Sequence, residues 1–99
     1  MFIINITYKV SLEQINATMQ AHVAYLDKYF ASNKFLIAGR KKPRTGGIIV
    51  AIGESKEEIE IIAKEDPFYT NNLADIEVIE FSAGKTAADI NALLADSIK

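Results

Sequence analysis

Two short segments of this chain are apolar on both faces of the strands that they predict. One contains Phe35, Leu36 and Ile37, and the other runs from Ile48 to Ile52. A strand covered on one side alternates apolar and polar residues, whereas a strand covered on both sides is apolar throughout. Helices of the same chain can cover one face, but 99 residues leave little material for the other. We therefore predict that a partner subunit covers the second face.

The residues between these two segments predict a hairpin with a cationic tip. They read RKKPRTGG from Arg40 to Gly47, and proline and paired glycines are typical of turns. Arg44 beside Gly46 is the best candidate for binding an anion, because a guanidinium and exposed backbone N–H groups can share a carboxylate or phosphate. A solvated turn without a ligand is the simpler interpretation of the same residues.

A long amphipathic helix is predicted from Ser11 to about Ser32, and it carries the chain's single histidine. Ser11 and Gln14 form a capping box, which marks the start of the helix. His22 lies within the apolar stripe of this helix, so we expect its ring to face the core. At about 100° per residue, the apolar stripe contains Leu12, Ile15, Met19, Val23, Leu26, Tyr29 and Phe30.

A second helix is predicted from Lys56 to Asp66. Ser55 and Glu58 form its capping box, and Pro67 ends it because a residue before proline is pushed out of the helical region. Asp66 continues the buried side of this helix. It would also lie at the negative end of the helix dipole, where a carboxylate is disfavoured by about 0.3–1 kcal/mol. We therefore expect Asp66 to have a compensating partner or a function.

The order of the elements predicts the fold. An alternating strand from Phe2 to Val10 precedes the first helix, a strand from Ala74 to Phe81 follows the second, and a last helix runs from Thr86 to about Ile98. The order βαββαβ plus a C-terminal helix is that of a ferredoxin-like α+β fold, here one domain over residues 1–99. Both earlier helices then pack on one face of the sheet, which allows His22 and Asp66 to share a cleft.

A histidine beside a carboxylate is an acid–base unit, because the carboxylate fixes the imidazole tautomer and the ring moves a proton near neutral pH. Proton abstraction beside a carbonyl, isomerisation or elimination would fit His22 and Asp66. One histidine and one aspartate are too few for a structural zinc site, so we predict no metal. The structural alternative is a core histidine with a satisfied ring N–H and a carboxylate that bonds nearby backbone.

Charge and composition limit the partners. Eleven basic and thirteen acidic residues give a net charge of −2, which argues against a nucleic-acid-binding protein. RNA-binding domains with this element order stack bases on aromatic residues of the central strands, and the run from Gly47 to Ile52 has none. No apolar run approaches the length of a membrane span, and the apolar start is too short for a signal peptide. We expect a cytoplasmic protein that binds neither nucleic acid nor membrane.

Four stretches together are characteristic of one family. They are His22 with Leu26, the sequence FLIAG from Phe35, the sequence PRTGGII from Pro43, and Asp66-Pro67-Phe68. With these, the chain resembles the YciI-like (YCII-related) proteins from Met1 to about Gly84. The resemblance implies a dimeric α+β barrel, built from ferredoxin-like subunits whose sheets face each other, and an active site of His22 and Asp66. Many relatives have proline where this chain has Arg40, which implies a more cationic pocket entrance.

The resulting hypothesis is a cofactor-free lyase or isomerase that acts on a small anionic or cyclic molecule. His22 would be the general acid or base, Asp66 would orient it, and the predicted substrate-binding residues are Arg40, Arg44, Gly46 and Phe68. The alternative is a non-catalytic dimer that binds a small molecule or a protein and in which His22 and Asp66 form a structural pair. In both cases we expect a homodimer through the open sheet face, and the pattern leaves open whether dimers assemble further.

Overall fold

The computed structural model describes residues 1–90, which form a four-stranded antiparallel sheet covered by helices. The strand order is β2-β3-β1-β4, which is the ferredoxin-like arrangement, so the predicted fold class is confirmed. The elements are β1 (Phe2–Tyr8), α1 (Leu12–Ala31), β2 (Phe35–Arg40), β3 (Gly46–Ala51), α2 (Lys56–Ala63), α3 (Pro67–Thr70) and β4 (Ala74–Glu80).

The alternation of β1 gives the sheet its buried face. Phe2, Ile4 and Ile6 are all buried and belong to the hydrophobic core. Ile15 from α1 and Ile59 from α2 are part of the same core. The central strand therefore anchors both helices, which places the inward faces of α1 and α2 side by side above the sheet.

Both ends of α1 follow from its sequence. The Ser11 hydroxyl accepts a hydrogen bond from the Gln14 backbone N–H at 3.4 Å, as the capping box predicted. At the other end Asn33 has a left-handed φ of 60°, and the Lys34 N–H donates to the Tyr29 carbonyl at 2.9 Å. This is a Schellman ending, which asparagine tolerates better than most residues because its short polar side chain suits the left-handed region.

The predicted stripe of α1 is wrong at two residues. Leu12 and Val23 are more than two-fifths exposed, whereas Tyr25, which the rotation left outside the stripe, is buried. The reason is that α1 packs against α3 and the end of α2 as well as against the sheet, so its buried side is turned towards Tyr25.

The second helix ends earlier than predicted. It stops at Ala63, and Asp66 lies outside it with an extended backbone (φ −58°, ψ 126°). Asp66 is instead the N-cap of α3, whose first residue is Pro67. Proline explains both facts, because it forces the preceding residue out of the helical region and is favoured at the first position of the next helix. The carboxylate therefore lies at the favourable end of a helix dipole, contrary to the prediction.

Within residues 1–90, one face of the sheet carries no helix, and its apolar residues form a row across the strands. Directly paired residues point to the same side, and one row crosses all four strands through Ile37, Val50, Ile3 and Ile79. Ile37 and Ile79 are 38% and 44% exposed. Ile52, Met1 and Phe81 continue the alternation of their strands onto the same face and are also exposed. These seven residues are called the open sheet face below.

The predicted C-terminal helix, from Thr86 to about Ile98, lies largely outside the described residues, which end at residue 90. Within the part of the chain that is described, no helix combines the length and the apolar character needed to cross a membrane.

Candidate active site

Three side chains on one face of α1 bind residues 62–66, which comprise the end of α2 and the short segment that joins it to α3. The His22 ring Nδ1 and the Asp66 Oδ1 are 2.8 Å apart, and the Tyr25 hydroxyl donates to the Ile62 carbonyl at 2.8 Å. The Tyr29 hydroxyl donates to the Glu65 carboxylate. Because the spacing of 22, 25 and 29 repeats along one side of a helix, one face of α1 holds the whole segment 62–66 in place.

Asp66 is held from two directions. Its side chain is 1% exposed, and its Oδ1 accepts the backbone N–H of Phe68 at 2.9 Å as well as the histidine ring. The first bond is the ordinary bond of an aspartate N-cap, and it fixes the carboxylate relative to α3. The sequence therefore places a buried carboxylate, already oriented by the backbone, directly against the imidazole.

Phe68 fixes the plane of the histidine ring. Its ring is stacked on that of His22, with centroids 4.0 Å apart and planes 10° from parallel. Phe68 is buried, and the edge of its ring meets Tyr8 at a centroid distance of 5.8 Å. The imidazole is therefore restrained at its face by Phe68 and at Nδ1 by Asp66, which leaves its Nε2 as the nitrogen available for chemistry.

The tautomer follows from these contacts. A carboxylate only accepts hydrogen bonds, so the neutral ring bonded to it carries its proton on Nδ1. The Nδ1–H donates to Asp66 Oδ1, and Nε2 then holds an unshared electron pair. A group arranged in this way is a proton acceptor at Nε2, and it becomes an acid once it is protonated.

A cavity of about 190 Å³ lies between α1 and the sheet, and His22 is part of its wall. Most of the lining side chains are apolar, and the three that carry nitrogen or oxygen are Tyr8, His22 and Arg40. The lining residues are Ile6, Tyr8, Met19, His22, Val23, Leu26, Ala38, Gly39, Arg40, Gly47, Ile48, Ile49 and Phe68.

Comparison with known proteins identifies the family. The YCII-related domain matches residues 1–82. The chain belongs to the YCII-related domain family. Among solved structures, it is similar to 5-chloro-2-hydroxyhydroquinone dehydrochlorinase from Burkholderia phenoliruptrix in complex with 2,5-dihydroxybenzoquinone. The TM-score is 0.71 at 24% sequence identity, over 84% of this chain and 94% of that chain, which supports the same fold. No curated protein matches the sequence.

In this YCII-related domain, the structure brings together some of the predicted site residues. His22 and Asp66 meet, and Arg40 and Phe68 line the cavity beside His22. Phe68 does so as the partner that stacks on His22, a role that the sequence did not suggest. Within residues 1–90, no group of three or more histidine, cysteine, aspartate or glutamate side chains is arranged to hold a metal ion.

Arg44 and Gly46 are not part of the cavity lining. The Arg44 guanidinium donates from Nη2 to Asn16 Oδ1 at 2.6 Å, which joins the hairpin to α1. Gly46 lies so close to β1 that a Cβ atom would stand 1.8 Å from the Ile6 carbonyl oxygen. The close approach of two strands therefore explains this glycine, and the binding of an anion by Arg44 and Gly46 stays a prediction.

Sequence reasoning missed Tyr8 and the role of Tyr25. Tyr8 is the last residue of β1 on the face of the sheet that the helices cover, so the alternation of that strand could have predicted that it lies beside the site. Burial raises the pKa of Tyr25 well above its usual value, and the nearby Asp66 carboxylate raises it further. Tyr25 therefore stays protonated and serves as a hydrogen-bond donor that positions the 62–66 segment.

Proposed function

We propose that this protein is a cofactor-free enzyme of the lyase or isomerase type, which transfers a proton through His22. The observation that carries the proposal is the 2.8 Å contact between His22 Nδ1 and a buried Asp66 at the wall of an apolar cavity. Acid–base residues must be fixed and within reach of a bound molecule, and this ring meets both requirements. We infer that the reaction needs no metal or organic cofactor, as predicted from the sequence.

Each residue has a distinct part in the proposed reaction. His22 Nε2 accepts a proton from the bound molecule, and the Asp66 carboxylate stabilises the charged ring that results. Returning the proton to a different atom gives an isomerisation, and departure of a leaving group gives an elimination. Arg40 binds an anionic substituent of the substrate, because its guanidinium is the only permanent positive charge among those of residues 1–90 that line the cavity.

The cavity favours a substrate with one small ring. Its volume of about 190 Å³ compares with the apolar cavities of about 150 Å³ that accept benzene. The similar dehydrochlorinase is named for a chlorinated hydroxyhydroquinone and was solved with a dihydroxybenzoquinone, both of which are single rings with oxygen substituents. We propose the same class of molecule for this chain, a single ring with oxygen substituents and a negative charge at neutral pH.

We also propose that the protein acts as a homodimer through the open sheet face. Exposed apolar residues form a continuous row across all four strands, and a contiguous exposed apolar patch marks an interaction surface. We propose that a second copy of this chain covers this face, because a two-fold symmetric contact places the apolar row of one copy against the same row of the other. This proposal keeps the arrangement that the family resemblance implies.

The enzymatic proposal is tested with 5-chloro-2-hydroxyhydroquinone, by following chloride release under anaerobic conditions. We expect the wild-type protein to accelerate release, and His22→Gln to lower the rate by about 100-fold or more, because general-base catalysis contributes about 10²- to 10⁴-fold. Asp66→Asn should lower it as well, whereas Asp27→Asn, an exposed aspartate on α1, should not. A His22→Gln variant as active as the wild type would refute the role of the histidine.

A second candidate function is a non-catalytic binding protein, and one observation favours it. Asp66 makes the ordinary N-cap bond to the Phe68 N–H in addition to its contact with His22, so the pair could serve the fold alone. In that case His22→Gln should lower the free energy of unfolding without changing any reaction. A variant that keeps its stability but loses turnover supports the enzyme.

A further inference from the structure

Tyr8 lies on the cavity wall and has no part in the proton transfer proposed above. It is the last residue of β1, and its backbone N–H donates to the Thr45 carbonyl at 2.9 Å, which fixes the end of the strand. Its ring meets Phe68 edge-on at an angle of 86°. Phe68 in turn stacks on His22, so the positions of the three rings depend on one another.

The Tyr8 hydroxyl differs from the two other tyrosine hydroxyls near the site. Tyr25 and Tyr29 bind acceptors on the 62–66 segment, whereas the Tyr8 hydroxyl has no hydrogen-bond partner within residues 1–90. Tyr8 is partly buried as a residue, but its hydroxyl stays accessible, so it can donate to an acceptor that enters the cavity. Tyr8 lines a mostly apolar cavity, where a bound molecule can supply the acceptor.

The three polar side chains of the cavity then divide the work of recognition. His22 and Arg40 line the cavity; in the proposed reaction His22 exchanges the proton and Arg40 supplies positive charge. Tyr8 is the remaining polar group, and its hydroxyl is a directional donor carried by a ring that Phe68 holds in place.

We propose that Tyr8 is a specificity-determining residue that donates a hydrogen bond to an oxygen substituent of the bound ring. The proposal rests on the proposed function only in that the cavity must accept a single ring. It predicts that the protein distinguishes a ring with oxygen from the same ring without it, and that this distinction depends on one hydroxyl.

The test compares 4-chlorophenol with chlorobenzene, two probes that differ by one oxygen. Affinities are measured by ligand-observed NMR for the wild type, Tyr8→Phe and the control Tyr69→Phe, which removes an exposed hydroxyl from a residue outside the cavity lining. We expect Tyr8→Phe to weaken binding of 4-chlorophenol by about 3- to 10-fold, the usual effect of one neutral hydrogen bond. Binding of chlorobenzene should stay within about twofold, because the edge contact with Phe68 is kept.

The outcomes separate the two proposals. If Tyr8→Phe loses affinity equally for both probes, Tyr8 only shapes the cavity. If it loses affinity for neither probe, its hydroxyl is not used. Either result overturns the inference. If neither probe binds the wild-type protein, the single-ring cavity is refuted and the inference fails with it. If the wild type binds 4-chlorophenol and His22→Gln abolishes chloride release, the proposed function stands whatever Tyr8→Phe shows. Thermal unfolding of each variant confirms that it is folded.

Discussion

At the scale of single residues, Asp66 determines the geometry of the site. One oxygen of this carboxylate accepts both the Phe68 N–H and the His22 ring, so it links the start of α3 to α1. The sequence indicated that Asp66 is buried and needs a partner. It did not indicate the N-cap, because the apolar periodicity of α2 continues to Asp66, and the local effect of Pro67 outweighs that periodicity.

Replacing Asp66 by alanine removes both bonds at a residue that is 1% exposed. We expect the free energy of unfolding to fall by about 1–3 kcal/mol, since an N-cap is lost and a buried donor is left without an acceptor. Urea denaturation measures the change, with Asp27→Ala as the control on exposed α1 surface. Equal stability of wild type and Asp66→Ala would contradict the structural importance of these bonds.

At the scale of elements, the contacts between α1 and the 62–66 segment hold the site together. Tyr25 contributes a buried hydrogen bond to the Ile62 carbonyl and packs against Tyr29 and Phe35. The apolar stripe predicted for α1 did not include Tyr25. The hydrogen bond itself could not be predicted, because its acceptor is a backbone carbonyl at the end of a helix whose packing the sequence does not specify.

The raised pKa of Tyr25 gives a prediction at alkaline pH. The folded protein keeps this proton at pH values where the unfolded chain loses it, so the free energy of unfolding falls as pH rises above the unfolded value of 10.0. Tyr25→Phe should remove this part of the pH dependence. Urea denaturation between about pH 9 and 11 measures it. If absorbance at 295 nm shows Tyr25 ionising normally in the folded protein, the burial of this hydroxyl is wrong.

The ion pair between Lys34 and Glu58 gives an opposite prediction at acidic pH. The Lys34 ammonium lies 2.5 Å from the Glu58 carboxylate and lowers the pKa of that group. A depressed carboxyl pKa contributes stability above the unfolded value of 4.5, and this contribution is lost as pH falls through the folded value. Glu58→Gln should therefore lower Tm slightly at pH 7 and not below about pH 3, whereas Glu57→Gln, on the same helix, should change Tm at neither.

At the scale of the whole molecule, the open sheet face is an apolar surface that no helix within residues 1–90 covers. The sequence predicted strands that are apolar on both faces, and the exposed row through Ile37 and Ile79 confirms that pattern. The fold could be predicted because the capping residues of α1 and α2 mark where these helices begin, and the resulting order of helices and strands is that of a ferredoxin-like fold. The cavity could be predicted only in part: His22, Arg40 and Phe68 were expected at a pocket, but Tyr8 was not, because it is distant in sequence and joins the lining only when β1 and α1 pack.

A substitution on the open sheet face tests the proposed homodimer. We expect the wild-type protein to have twice the mass of one 10.9 kDa chain by light scattering after size exclusion. Ile79→Lys should give monomers, because two lysines would be buried near each other in the interface. Ile61→Lys, which replaces an exposed isoleucine on α2, should leave the mass unchanged. A monomeric wild-type protein at micromolar concentration would contradict the proposal.

The most direct test of the proposed site is the tautomer of His22, measured from the ¹⁵N chemical shifts of its ring. The chain has one histidine, so the signals need no assignment. If Asp66 orients the ring for proton transfer, the neutral form carries its proton on Nδ1 and leaves Nε2 unprotonated, and Asp66→Ala weakens this preference. A wild-type ring with its proton on Nε2 would contradict the arrangement, because the nitrogen proposed to accept the proton would already hold one.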